Sequence, residues 1–314
     1  MEVIKNNKVC FITNFWLGER RMESPIYKED KLYFLKKQIQ LLQTKKHNLS
    51  KIIFNFNVLP EHYPYISKII DLTPKQIQGA KVEINIRENI GISYGAWSDC
   101  FEKYKNEFDY YVFNEDDYFF VQDDWDTYLV NKHNSYDDCG YLCMFIREPH
   151  IWNNFRKIAG SSVGIASSKT LMKIYSKYGK LPSLNKKVDN ALAEYQVGQD
   201  IQNQFGFSFL EIGLNLYDVR DDYAILFEKG SPVDPNCNQW KMFDWNSEYL
   251  SVCSIYFTNN FGWFISHDLE FLEHHQISTY KEAIYYYNNK LTYFKDKYEE
   301  DNNRVEWIKR ELPA

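Results

Sequence analysis

The stretch Tyr110-Tyr111-Val112-Phe113-Asn114-Glu115-Asp116-Asp117-Tyr118-Phe119-Phe120-Val121 decides how this chain is read. Four aromatic and β-branched residues of strand type open it, four more close it, and a polar quartet separates them. Three consecutive carboxylates at a strand end repel one another unless a cation or several donors neutralise them. Hard divalent cations take carboxylate oxygens and complete their shells with water and phosphate oxygens, so Glu115-Asp116-Asp117 reads as a metal-diphosphate site. The plainer use of acidic residues, at the positive start of a helix, fits Asp123, Asp124 and Asp126, which precede a helical pattern.

Upstream of the cluster, Val9-Cys10-Phe11-Ile12 reads as a buried strand, and Leu32, Leu35, Ile39 and Leu42 recur at helical spacing within 31–46. A second strand follows over 51–57 and a third over 82–86. A helix over 96–108 then puts Trp97, Phe101, Tyr104 and Phe108 on one face before the 110–113 run. Strand, helix and strand in repetition predict an α/β fold with a Rossmann-like, mostly parallel central sheet flanked by helices. The acidic cluster then falls at the carboxyl end of a sheet strand, the edge at which open α/β sheets bind ligands.

Downstream, 140–146 reads as a strand, 157–166 as a small-residue turn into a strand, 168–178 as a helix and 179–190 as a loop around Pro182. Gly198-Gln199-Asp200 opens a helix ending near Phe205-Gly206, where glycine takes the left-handed position, and 207–218 returns as a strand-like segment. With no internal repeat and no low-complexity linker, one domain is expected over 1–265. Residues 266–314 differ in texture. Thr279 and Glu282 form a capping box, and Ala283, Tyr287, Leu291, Phe294 and Tyr298 continue as an apolar stripe. A C-terminal helical extension packing on the main domain is predicted, with a homodimer contact as the competing use of that stripe.

Bulk composition removes several functions. A hydrophobic fraction of 44% over 314 residues supplies a full core. The 37 Lys+Arg are scattered among 43 Asp+Glu, which gives no basic face for nucleic acid. Six cysteines form no CxxC pair, and the opening Met1-Glu2-Val3-Ile4-Lys5 lacks an apolar signal core, so reduced thiols and a cytoplasmic setting are expected. No run reaches the ~18 apolar residues of a membrane helix; no transmembrane segment is expected, and any membrane contact is peripheral. Trp240, Phe243 and Trp245, in the irregular 230–247 stretch, read either as a mobile loop over a ligand or as core beneath the C-terminal helix.

Taken in order, Arg87-Glu88-Asn89-Ile90-Gly91, the Trp97 helix, the 108–117 run, Gly160-Ser161-Ser162 and Gly198-Gln199-Asp200 resemble the motif series of GT-A glycosyltransferases, family 2 in particular. The resemblance covers roughly the first two-thirds of the chain. It implies a GT-A sheet with a nucleotide-diphosphate sugar across its edge, a DxD-type motif holding Mn2+ or Mg2+, a glycan or other hydroxyl acceptor, and inverting transfer. Carried onto this chain, it makes Asp117 the metal ligand and brings Glu115 or Asp116 to the ribose or a sugar hydroxyl. Thr13, Asn14 and Asn57 match base and ribose positions, Arg87 and Asn89 join the donor side, and Gly160, Ser161 and Trp240 take the acceptor side. Asp200 becomes the general base, with Glu194 in reserve, and His267 is similar to a C-terminal histidine that some members add to the metal shell.

Three positions depart from the family's pattern. Glu115 stands where Asp is usual, Asn57 where an acid is frequent, and Gln199 where the first acid of a Glu-Asp pair belongs. Gln199 and the 18% aromatic content keep a non-catalytic carbohydrate-binding protein as an alternative, and a retaining transferase stays open beside it. A sugar nucleotidyltransferase would carry a glycine-rich, arginine-containing phosphate loop after the first strand, and Thr13-Asn14-Phe15-Trp16-Leu17-Gly18 does not supply it.

Overall fold

The computed structural model describes residues 7–18, 30–116, 118–120, 123–147, 158–188, 201, 204–218, 224–225, 255–258 and 263–266. Runs of alternating or continuous apolar residues form the strands: β1 (Val9–Trp16), β2 (Lys51–Val58), β3 (Gln76–Ile77), β4 (Ala80–Glu88), β5 (Tyr110–Glu115), β6 (Cys139–Arg147), β7 (Ile158–Ser167), β8 (Asn215–Asp218) and β9 (Ala224–Ile225). They join in one sheet of order β3-β4-β2-β1-β5-β7-β6-β8-β9. Strands β4, β2, β1 and β5 are parallel neighbours, β7 runs antiparallel between β5 and β6, and β6 and β8 are parallel again. The short edge strands β3 and β9 are antiparallel to their neighbours. This is the mostly parallel α/β sheet that the alternating strand and helix patterns predict. Residues Ile255–Thr258 and Trp263–Ser266 pair antiparallel as a separate ribbon.

The helices are α1 (Tyr33–Thr44), α2 (Ile66–Leu72) behind a 3-10 turn at Pro60–Tyr65, α3 (Ile92–Tyr104), α4 (Trp125–Asn134), α5 (Ser168–Tyr178) and a helical segment over 204–211. Because strand side chains alternate, each central strand feeds two cores. Phe11, Ile52, Phe54, Val82 and Val112 pack with Leu35, Ile39 and Leu42 of α1 and Trp125 and Leu129 of α4. Cys10, Ile12, Ile53, Tyr111 and Phe113 pack on the other face with Tyr94, Trp97 and Phe101 of α3, Leu171 and Ile174 of α5, and Phe205 and Phe209.

Local expectations change at four places. Helix α3 occupies Ile92–Tyr104 rather than 96–108, since Gly91, left-handed at φ 71°, starts it directly behind β4. Phe108 lies past its end, its ring edge-on to Tyr111 at 5.8 Å. The small-residue stretch at 158–167 is strand throughout: a Cβ at Gly164 would meet the Tyr141 ring at 2.3 Å, so smallness there serves close packing on β6 rather than a turn.

The 204–211 helix passes through Gly206, and only Asn215–Asp218 is strand, because Phe205 and Phe209, one turn apart, share one buried face. Gly213, at φ 81°, takes the left-handed position. Asp124 stands at the start of α4 without a side-chain capping bond. Asp123 Oδ1 and Asp126 Oδ2 instead accept from the Lys46 and Asn48 amides, tying α4 to the loop before β2. The predicted C-terminal helix beyond residue 266 lies outside the described residues.

Candidate functional site

The side chains on the α3 face of the sheet change character at one level. Ile12, Ile53 and Phe113 are fully buried in the core, and two residues further along each strand stand Asn14, Asn55 and Glu115. Strand register sets Asn85, Asn55, Asn14 and Glu115 side by side across β4, β2, β1 and β5. Asn85 Nδ2 donates to Asn55 Oδ1 (2.6 Å), Asn55 Nδ2 to Asn14 Oδ1 (2.8 Å), and Asn14 Nδ2 to Ser93 Oγ (3.3 Å). Ser93, in the first turn of α3, in turn donates to Glu115 Oε1 at 2.8 Å. Beneath the row, burial pushes the Cys100 thiol up to about 12, so it stays protonated beside Asn55 Oδ1 at 3.9 Å.

One step nearer the edge, Asn57 of β2 pairs in register with Arg87 of β4. The guanidinium is held at three points: Nη1 to Asn57 Oδ1 (2.8 Å), Nη2 to the Ile90 carbonyl (2.9 Å) and Nε to Asp99 Oδ2 (2.9 Å). Asn89 follows and ties down the chain at 186–188. Its Nδ2 donates to the Val188 carbonyl and its own carbonyl accepts from Val188 N, both at 2.9 Å, while Gly91 N donates to the Lys186 carbonyl. Residues 186–188 are thereby strapped to the carboxyl edge of the sheet.

The acidic cluster is supported from the α1 side as well. Asp116 is nearly buried, and its Oδ2 accepts from the Trp16 amide at 3.0 Å. Gln38, buried on α1, donates through Nε2 to the carbonyls of Asp116 (3.3 Å) and Tyr118 (2.5 Å). Thr13, fully buried, accepts from Asn114 Nδ2 at 3.1 Å, and Asn114 also reaches the Glu115 and Tyr118 carbonyls. The turn after β5 is thus a braced structure.

Of the residues nominated from sequence, Asn14, Asn57, Arg87, Asn89, Glu115 and Asp116 come together at this edge, with Thr13 behind them in the core. Gly160 and Ser161 lie near the start of β7, which pairs antiparallel with β5 from Phe113 opposite Gly164 onward; that places them at the same edge. Asp117, Glu194, Asp200, Trp240 and His267 lie outside the described residues. Ile201 is buried, and Phe205, one turn on, packs edge-on against Tyr94 (5.4 Å) and Phe113 (6.0 Å).

Sequence reasoning missed Asn55, Asn85, Ser93 and Gln38. The first two carried a signal: Ile53-x-Asn55-x-Asn57 turns polar on one face as β2 approaches its end, and Glu83-x-Asn85-x-Arg87 is polar along the matching face of β4.

Glu115 and Asp116 supply hard oxygen donors of the kind that suit Mg2+ or Mn2+, and Asp117 is next in sequence. Among the described residues, no three His, Cys, Asp or Glu side chains form a metal-holding group. A cavity of about 510 Å3, lined in part by Asp109, His133, Asp137, Ser168 and Lys173, opens at the other edge, where β5 begins. It contains none of the nominated residues. Among the described residues, no helix is long and apolar enough to cross a membrane.

No protein-family model matches the chain, and no curated protein matches it in sequence. Solved structures are similar to it at low identity. The 4-diphosphocytidyl-2C-methyl-D-erythritol synthase of Anaerococcus prevotii is 10% identical with a TM-score of 0.37, over 67% of this chain and 98% of its own. CMP:2-keto-3-deoxy-manno-octonic acid synthetase complexed with CTP is 11% identical with a TM-score of 0.38, over 74% of this chain and 96% of its own. A cytidylyltransferase of Leptospira borgpetersenii is 13% identical with a TM-score of 0.34, over 63% of this chain and 74% of its own.

Proposed function

We propose that this chain is a metal-dependent glycosyltransferase that moves a sugar from a nucleotide-diphosphate donor to a hydroxyl of a glycan acceptor. The observation that carries the reading is the placement of Glu115 as the last residue of β5 and of Asp116 immediately past it, flanked at the same edge by Asn57 and Arg87 on parallel strands. A metal-bound diphosphate needs hard oxygen ligands at such an edge, and the polar strand ends beside them offer groups for the base and ribose. Asp117 would hold the ion, which neutralises charge on the leaving diphosphate, and Glu115 or Asp116 would reach the ribose or a sugar hydroxyl. Asp200 would take the acceptor proton, and Ser161 and Trp240 would line the acceptor side. Thr13, Asn14 and Asn89, engaged in internal hydrogen bonds, would frame the donor site.

The test is a thermal-shift and hydrolysis panel of UDP-glucose, GDP-mannose and dTDP-glucose with Mn2+. A bound donor at 100 times its Kd adds about 2.7 kcal/mol of stability, and Asp117→Asn should remove the Mn2+-dependent part of it. Absence of any metal-dependent donor binding overturns the reading. Pyrophosphate release from a nucleoside triphosphate and a sugar phosphate would replace it with nucleotidyl transfer.

A further inference from the structure

The amide row beneath Glu115 has a direction. An Asn side chain carries one acceptor oxygen and one donor nitrogen, so in a row each residue that accepts from one neighbour donates to the next. Here Asn85 donates to Asn55, Asn55 to Asn14 and Asn14 to Ser93. Ser93 has a single hydroxyl proton; because its oxygen already receives Asn14 Nδ2, that proton goes to Glu115 Oε1 at 2.8 Å. Every dipole in the row points the same way and ends on a carboxylate oxygen, where a charge-assisted hydrogen bond is stronger than a neutral one. The middle of the row is enclosed: Asn55 is fully buried, Asn14 and Ser93 are nearly so, and the Asn85 and Glu115 ends are half-buried. Water therefore does not compete for the two inner bonds, and side chains locked by packing hold a site's groups to the tolerance that binding needs.

We infer that Ser93, oriented by Asn14, Asn55 and Asn85, is a positioning residue that fixes the Glu115 carboxylate for the ligand at the sheet edge. The inference rests on the proposed donor site and adds to it the element that sets the geometry of its first carboxylate. Asn14, matched from sequence to a donor contact, acts through Ser93.

A double-mutant cycle tests this. Affinity for the tightest-binding of UDP-glucose, GDP-mannose and dTDP-glucose, with Mn2+, is measured by calorimetry for the wild type, Ser93→Ala, Glu115→Ala and the double variant. Ser93→Thr is measured beside them. Ser93→Ala should weaken binding about 10-fold, within the range for a hydrogen bond to a charged group. In the Glu115→Ala background the same substitution should change affinity less than about 2-fold, because nothing is left to position. Ser93→Thr, which keeps the hydroxyl, should bind within a few-fold of wild type. A purely structural Ser93 predicts equal losses in both backgrounds, and that result overturns the inference, as does an unchanged affinity in Ser93→Ala. A wild type that binds none of the three sugar nucleotides with Mn2+ overturns the donor-site reading and this inference with it, so the two failures are distinguishable.

Discussion

Asp116 shows how one side chain supports a strand end while contributing charge to it. Its Oδ2 accepts from the Trp16 amide at 3.0 Å in a partly buried position, and withdrawing the acceptor from such a donor costs about 1–3 kcal/mol. Asp116→Ala is therefore expected to lower stability by about that amount in urea titrations, while Asp116→Asn, which keeps an acceptor oxygen, recovers most of the loss. Equal destabilisation by the two variants would refute the capping role. Gln38 supports the same turn from α1. Gln38→Leu fits the site apolarly but withdraws the donor shared by the Asp116 and Tyr118 carbonyls. It should cost about 1–2 kcal/mol and loosen Mn2+-dependent donor binding, although Gln38 would not touch the ligand.

The decisive element is the β4–α3 junction. Gly91 lies at φ 71° and Ile92, a β-branched residue, at φ 49°, so two successive residues occupy left-handed backbone immediately before Ser93. Gly91 takes that conformation freely, whereas Ile92 bears a cost of roughly 1–2 kcal/mol, and the junction persists because Asn89, Gly91 and Arg87 are fixed by hydrogen bonds to 186–188 and Ile90. A Cβ at Gly91 would also meet the Leu184 carbonyl at 2.4 Å. Gly91→Ala should thus destabilise by roughly 2 kcal/mol or more and raise hydrogen exchange in 184–188 and the first turn of α3 above that of the central strands. Uniform acceleration through β1 and β2 would mean that the junction unfolds only with the whole domain.

For the molecule as a whole, acid stability should fall in two separable windows. Burial alone would raise the Glu83 carboxyl, but hydrogen bonds from Lys103, Lys51 and Tyr104 outweigh it and hold the pKa at about 2, against 4.5 unperturbed. A depressed carboxylate contributes stability that is present above its unfolded pKa and lost as pH falls from about 4.5 towards 2. His133 is buried, and burial lowers its pKa from 6.5 to about 4, an effect only partly offset by the neighbouring Asn134 side chain. The unfolded chain binds that proton first, so stability also declines as pH falls from 6.5 to about 4. In chemical denaturation series, His133→Phe should flatten the upper window and leave the lower one intact. An unchanged slope between pH 6.5 and 4 would show that the imidazole does not control it. At this scale too, Asp200→Asn should keep donor affinity and lose transfer by about 10²-fold or more; transfer close to wild type would move the general base to Glu194 or elsewhere.

The sequence by itself determined the alternation of strands and helices, and with it the α/β class, because hydrophobic period is a local property of the chain. Val9–Ile12, the 31–46 stripe and the 168–178 helix were legible for that reason, as was the position of Glu115 and Asp116 at a strand end. Only the tertiary structure decided that β7 lies antiparallel between β5 and β6, and that 158–163 is strand rather than turn, since pairing partners far apart in sequence set both. The same holds for the site. Asn14, Asn55, Asn85 and Ser93 are ordinary polar residues spread over 80 positions of sequence, and they become one directed row because parallel register sets three strands level beneath the start of α3. Side-chain hydrogen bonds across strands depend on that register, which no local pattern encodes.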